Sequence, residues 1–128
     1  MEVTRDNAWA TLTRYTTSVS LLRHAQAVEA SVRFYARLGG HDEELWGATA
    51  LLHDFDYEIH PTLDKHPQDG APILREEGYP EIVIRAVLSH AEHLERPRET
   101  QLEKTLFACD ELSGFVHACG LVRPNGLD

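Results

Sequence analysis

The amino-acid sequence predicts an all-α protein, folded as a single compact domain of about five to seven helices. Three observations lead there. Apolar residues recur three and four apart through most of the chain, the period of a helix with one buried face. Capping residues and Gly or Pro breakers stand where those runs begin and end. No stretch alternates apolar and polar residues as a half-buried strand would, and no repeat or low-complexity tract interrupts the pattern. At 128 residues the chain is long enough for one real core. Its 42% hydrophobic and 26% charged residues are the make-up of a soluble globular domain. The domain is expected to cover residues 1–128, with its core at about residues 17–123.

Taken in order, Asp6 or Asn7 can cap a short first helix through Ala8–Leu12. Thr16-Thr17-Ser18 can cap a longer one reaching Leu38, where Gly39-Gly40 stops it. Leu21, Ala25, Val28, Val32 and Tyr35 share one face of that helix, and His24 points the same way. His41-Asp42 follows the break, and Asp42 suits the N-cap of a third helix with Glu43 and Glu44 in its first turn. That helix runs to about His53, with Leu45, Thr49 and Leu52 on a common face. Phe55–Lys65, with Pro61, reads as a loop on which His60 is exposed. His66-Pro67 reads as a helix start. Gly70 and Pro72 weaken it into a kink or short first turn, and Gly78 ends it. Tyr79-Pro80-Glu81 opens a helix that is apolar nearly all round, from Ile82 to Ala91, and therefore central. Val83, Val87 and His90 form one stripe of it, with His93 a competitor nearly one turn on. After Pro97, Thr100-Gln101-Leu102-Glu103 is a capping box. The last helix then runs through Leu106, Cys109, Leu112 and Val116. Asp110 lies on it, one turn before Gly114, whose missing side chain would let a neighbour approach the backbone. Arg123-Pro124-Asn125-Gly126 reads as a tail.

The net charge of -9 argues against a nucleic-acid polymer or an anionic membrane as partner. A small anionic substrate remains compatible where a metal supplies local positive charge. Cys109 and Cys119 fall on one helix, about 15 Å apart by helical rise, too far to pair. Reduced thiols of a cytoplasmic protein are therefore expected. Met1–Asp6 carries no basic-then-apolar signal pattern, and no apolar run approaches a membrane span. The sequence sets no oligomeric state.

His53-Asp54 ends the apolar run Ala48-Thr49-Ala50-Leu51-Leu52, so an imidazole and a carboxylate appear where the chain is going inside. Burying such groups is costly unless they are hydrogen-bonded, paired or bound to metal. The chain holds eight histidines, and six inward-facing candidates gather from five segments: His24, His53, Asp54, His66, His90 and Asp110. Apart, each histidine needs its own partner; a metal site satisfies them together. Four or five would fill one octahedral centre with room for water, and six suit two divalent ions bridged by one carboxylate and one hydroxide. Mn, Fe, Mg, Co, Ni and Zn are not distinguished by such ligands.

In the order His, His-Asp, His, His, Asp, the chain resembles the HD superfamily of metal-dependent phosphohydrolases. The resemblance spans roughly Leu21 to Arg123 and is carried by Arg23-His24, Leu51-Leu52-His53-Asp54 and Ala108-Cys109-Asp110-Glu111-Leu112-Ser113-Gly114. It implies an HD-like helical fold and one metal held by His24, His53, Asp54 and Asp110. It implies a second metal held by His66 and His90, with Asp54 bridging and orienting a metal-activated water. The implied substrate is a small phosphoester, with nucleotides in that class. Many relatives follow His-Asp with Ile-Gly-Lys or a nearby glutamate, whereas this chain has Phe55-Asp56-Tyr57-Glu58. Lys65, beside His66, is the residue expected to replace the phosphate contact. Glu92, Asp56 and Glu58 are candidates to hold ligand imidazoles in the right tautomer. Gly78-Tyr79-Pro80 is similar to a tripeptide of the cyclic-dinucleotide phosphodiesterase branch, but it precedes His90 and reads as a helix stop and restart. Two other readings use the same ligands. One is a di-iron oxygenase that cleaves C–C or C–P bonds, with Tyr15 near the centre. The other is a non-catalytic, metal-stabilised module that binds a small ligand.

Overall fold

The structure, a computed structural model, describes residues 2–122. Six α-helices and two short 3-10 turns are found among them, and no strand. The helices follow the caps, with shifts at several ends. α1 (Arg5–Tyr15) starts earlier than Asp6 because Thr4 takes the cap, its hydroxyl accepting from the Asn7 N–H at 3.2 Å. α2 (Val19–Gly39) is capped by Ser18 and ends on Gly40 in the left-handed conformation, φ 72°. Glu58 adds to its N-terminus, accepting from the N–H groups of Thr17 and Ser18. That carboxylate is thereby committed to a helix end rather than to a ligand imidazole. α3 (Glu43–Leu52) is capped by Asp42, which accepts from Leu45 N–H at 3.1 Å.

A 3-10 turn, Gln68–Gly70, precedes α4 (Ala71–Glu76), so the helix proper begins at Ala71 rather than at Pro67. α5 (Glu81–Ser89) is followed by the 3-10 turn Glu92–Leu94. α6 (Gln101–Val122) is entered through the capping box: Thr100 Oγ1 accepts from Glu103 N–H at 3.1 Å, and Glu103 accepts from Thr100 N–H at 3.3 Å.

The most enclosed helix is α3. Every residue from Trp46 to Leu52 is buried, whereas α5, expected to be central, keeps Ile82 on the surface. α3 separates two apolar clusters. Leu51 and Leu52 pack with Leu12, Phe55, Leu74, Val83 and Val87. Trp46 and Ala50 pack with Val28, Val32, Leu102 and Leu106 on the other side. Each leucine so buried contributes about 2 kcal/mol. Gly47 lets Arg33 cross α3: a Cβ there would collide with the Arg33 guanidinium. Arg33 and Arg5 both reach buried Glu29 at 2.9 Å, tying α1 to α2.

Periodicity over-extended two faces. Tyr35 is exposed on α2, and Leu112 and Val116 are exposed on α6, because the packed face of α6 ends near Cys109. A Cβ at Gly114 would meet nothing within 4 Å, so no close approach explains that glycine. Cys109 and Cys119 are both free thiols. Among the described residues, no helix is long and apolar enough to cross a membrane. The tail expected at Arg123–Gly126 lies outside the described residues.

Candidate metal centre

Five segments deliver six side chains to one place. His24 comes from α2 and Asp110 from α6. His53 and His90 are the C-caps of α3 and α5, and Asp54 follows His53 into a turn. That turn is pinned by Phe55, which is fully buried and whose carbonyl accepts from the Thr16 hydroxyl at 2.9 Å. His66 arrives at the far end of the following loop.

The six form two groups that share Asp54. In the first, His24 Nε2 lies 3.1 Å from His53 Nε2, 3.1 Å from Asp110 Oδ1 and 3.5 Å from Asp54 Oδ2. His53 Nε2 is 3.2 Å from Asp54 Oδ2 and 3.4 Å from Asp110 Oδ1. In the second, Asp54 Oδ1 lies 3.0 Å from His66 Nε2 and 3.1 Å from His90 Nε2. The two oxygens of one carboxylate therefore face different groups.

These spacings fit cations. Donors about 2.1 Å from a common ion stand roughly 3.0–3.4 Å apart in octahedral or tetrahedral geometry. The tautomers fit as well. His53 Nδ1 bonds the Ala50 carbonyl at 2.6 Å, and His90 Nδ1 bonds the Val87 carbonyl. A carbonyl only accepts, so each Nδ1 carries the proton. In the neutral form that a metal binds, each ring would turn the Nε2 lone pair into the cluster.

The HD domain family model matches residues 21–114, a segment containing all six side chains. The chain belongs to the HD-domain family. This is the HD superfamily of metal-dependent phosphohydrolases, whose domains bind divalent metals and are generally metal-dependent hydrolases. No curated protein and no solved structure matches the chain.

In this HD domain the acids pull cationic charge inward. With protons as the only cations, hydrogen bonds to Asp110 and Asp54 raise the His24 pKa to about 9. Burial pulls His66 down, but its bonds to Asp54 and Asp56 outweigh that and bring it to about 9. Burial likewise opposes His53, yet the charge of Asp54 and the bonds to both acids push it well above the ordinary value. Burial would raise Asp54, but the His53 charge and three imidazole hydrogen bonds hold it well below the usual carboxylate range. Asp110 is held low against burial by its bonds to His24 and His53. A site that keeps protons this firmly is one a divalent cation can enter in exchange for them.

Asp56 supports the second group. It is fully buried, and it accepts from His66 Nδ1 at 2.6 Å and from His60 Nδ1 at 3.1 Å. His60 is thus half-buried and engaged, not exposed as its loop position suggested. The missed signal is local. His60 lies four residues after Asp56 and its N–H bonds the Asp56 carbonyl at 2.7 Å, a single helical turn inside a segment read as irregular. Gly70 makes room, since a Cβ there would sit 2.9 Å from the Asp56 carboxylate. Tyr57 meets the His66 ring edge-on at 5.5 Å.

The other sequence candidates lie apart. Glu92 and His93 are exposed on the 3-10 turn after α5. Lys65 is exposed, and its ammonium makes no hydrogen bond or ion pair among the described residues, so nothing ties it to the cluster. Tyr15 packs edge-on against Phe55 at 5.6 Å. Gly78 has φ 94° and ends the segment after α4, with Pro80 as N-cap of α5, a helix stop and restart.

Proposed function

We propose that this HD domain hydrolyses a small phosphoester, nucleotides included, with two divalent cations that Asp54 would help to hold in common. The observation that carries the reading is the divided carboxylate: Oδ2 faces His24 and His53, while Oδ1 faces His66 and His90. His24, His53 and Asp110 would complete the first ion's protein ligands, and His66 and His90 the second's. When bound, the cations supply a lowered pKa for a shared water and positive charge opposite the phosphoryl oxygens. The chain supplies the orientation. Asp54, kept ionised by its imidazole neighbours, would orient the attacking water. The Ala50 and Val87 carbonyls and the Asp56 carboxylate fix the rings of His53, His90 and His66.

Elemental analysis of protein purified without added metal, followed by turnover on a phosphoester panel, tests this. Two ions per chain are expected, and His90→Ala should keep one ion and lose most activity. Unchanged metal content and turnover in that variant would sink the assignment. A coloured protein that consumes dioxygen and leaves phosphoesters intact would make it an oxygenase instead. A metal-dependent rise in melting temperature with no turnover would make it a binding module.

A further inference from the structure

We propose that Arg98 holds an anionic group of the substrate, and that the phosphoester this site takes carries a second anion beside the reacting phosphate. The proposal rests on the phosphohydrolase reading above. In this acidic chain, Arg5, Arg14, Arg33, Arg37, Arg75 and Arg85 all pair with carboxylates. Arg98 is half-buried, yet it pairs with no carboxylate among the described residues. Its Nε donates to the Ser89 carbonyl at 2.8 Å, and its Cζ stands 3.7 Å from the centroid of the Phe107 ring. One edge of the guanidinium is therefore fixed and one face covered. The Nη edge remains, and it is the edge that meets a carboxylate or phosphate through two parallel hydrogen bonds. A guanidinium already held this way loses little freedom when it binds an anion.

The two anchors also set its place. Ser89 directly precedes His90, whose Nε2 lies 3.1 Å from Asp54. Phe107 is three residues before Asp110 on α6, so the two share a face. Arg98 thus ties together the two segments that carry one ligand of each group, held to the residue before His90 and to the residue three before Asp110. A guanidinium held beside the cluster and not within it suits a carboxylate or phosphate a few bonds from the reacting phosphorus. Lys65, the cation expected from sequence, has no comparable anchoring.

Calorimetry on the metal-loaded protein tests this with methylphosphonate, which has one anionic group, and 3-phosphonopropionate, which adds a carboxylate. The wild type should bind the second on the order of tenfold to a hundredfold more tightly, the range of a charged hydrogen-bonded pair. Arg98→Gln should erase that preference while leaving metal content and methylphosphonate affinity unchanged. Arg98→Lys should restore part of it. A wild type without preference overturns the proposal, as does a preference that survives Arg98→Gln. Equal weakening of both ligands would mark Arg98 as a clamp between the α5–α6 loop and α6, and would overturn it too. If methylphosphonate fails to bind protein shown to hold its metals, the phosphohydrolase reading itself falls, a result distinct from loss of the preference alone.

Discussion

His41-Asp42 and His53-Asp54 are the same two residues in the same order, set at opposite ends of α3. At the N-terminal end, Asp42 is exposed, and its carboxylate accepts from Leu45 N–H. The unpaired backbone donors there favour a negative charge. His41 lies flat on Trp46, ring centroids 4.4 Å apart, and takes no part in the cluster. At the C-terminal end the backbone offers carbonyls, which disfavour a carboxylate. Asp54 is tolerated there only because four imidazole Nε2 atoms stand within 3.5 Å of it. The same dipeptide is a cap where the backbone satisfies it and part of an imidazole–carboxylate cluster where the backbone cannot.

Replacing each aspartate by asparagine should break this symmetry most sharply. Asparagine caps a helix about as well as aspartate, so Asp42→Asn should leave stability, metal content and turnover unchanged. Asp54→Asn removes the shared charge from both groups. It should lose bound metal and lower kcat/KM by at least about 10²–10³-fold, the scale seen when one charge-stabilising group is removed from an active site. Metal analysis and steady-state kinetics on the pair decide it. A full complement of ions in Asp54→Asn would end the bridging assignment.

Proton release gives the next largest effect. His24 and His66 have pKa values of about 9 in the metal-free protein, and both must be neutral to coordinate. Metal binding at pH 7 should therefore expel protons, and affinity should climb with pH until about 9. The stability signs agree. A raised histidine pKa stabilises the metal-free fold fully below about 6.5, the unfolded value. That contribution is lost as pH rises through about 9. The depressed Asp54 and Asp110 act elsewhere, their contribution disappearing only as pH falls below the ordinary carboxylate range. The gain in melting temperature on metal loading should grow from pH 6.5 to 9. Calorimetry in buffers of different ionisation enthalpy counts the protons directly, and a release of zero at pH 7 would contradict the shifts.

Much of this was legible beforehand because helices advertise themselves. Ser18, Asp42, Gly40, Gly78 and the Thr100–Glu103 box each mark an end through local backbone chemistry, and each stands where the pattern put it. The cluster was legible for a related reason. Histidine and aspartate at the ends or on the inward faces of apolar helices have few other ways to be satisfied. Burial at the edges of the domain was harder to read. Tyr35, Leu112 and Val116 keep the helical period but run past the elements that could cover them, and period alone does not report where a neighbour stops. His60 and Arg98 were harder still, since their partners are set by how loops fold back. The carbonyl of Ser89 and the ring of Phe107 are not paired by any spacing in the chain.

The smallest effect separates the two ends of α3 most cleanly. Asp42→Ala deletes the side chain that accepts from Leu45 N–H and should cost about 1 kcal/mol. For a domain of this size that is a fall of roughly 3–5 °C in melting temperature. Asparagine at the same position should recover nearly all of it. The loss should stay local, because α3 has 10 residues, which at 1.5 Å each puts His53 about 15 Å from the frayed turn. The residues between, Trp46 to Leu52, are held by packing on both sides rather than by the cap. Asp42→Ala should therefore bind the same number of ions as the wild type and turn over substrate at the same rate. A loss of metal in that variant would show that the first turn of α3 helps to position His53-Asp54, and that the two pairs are not independent.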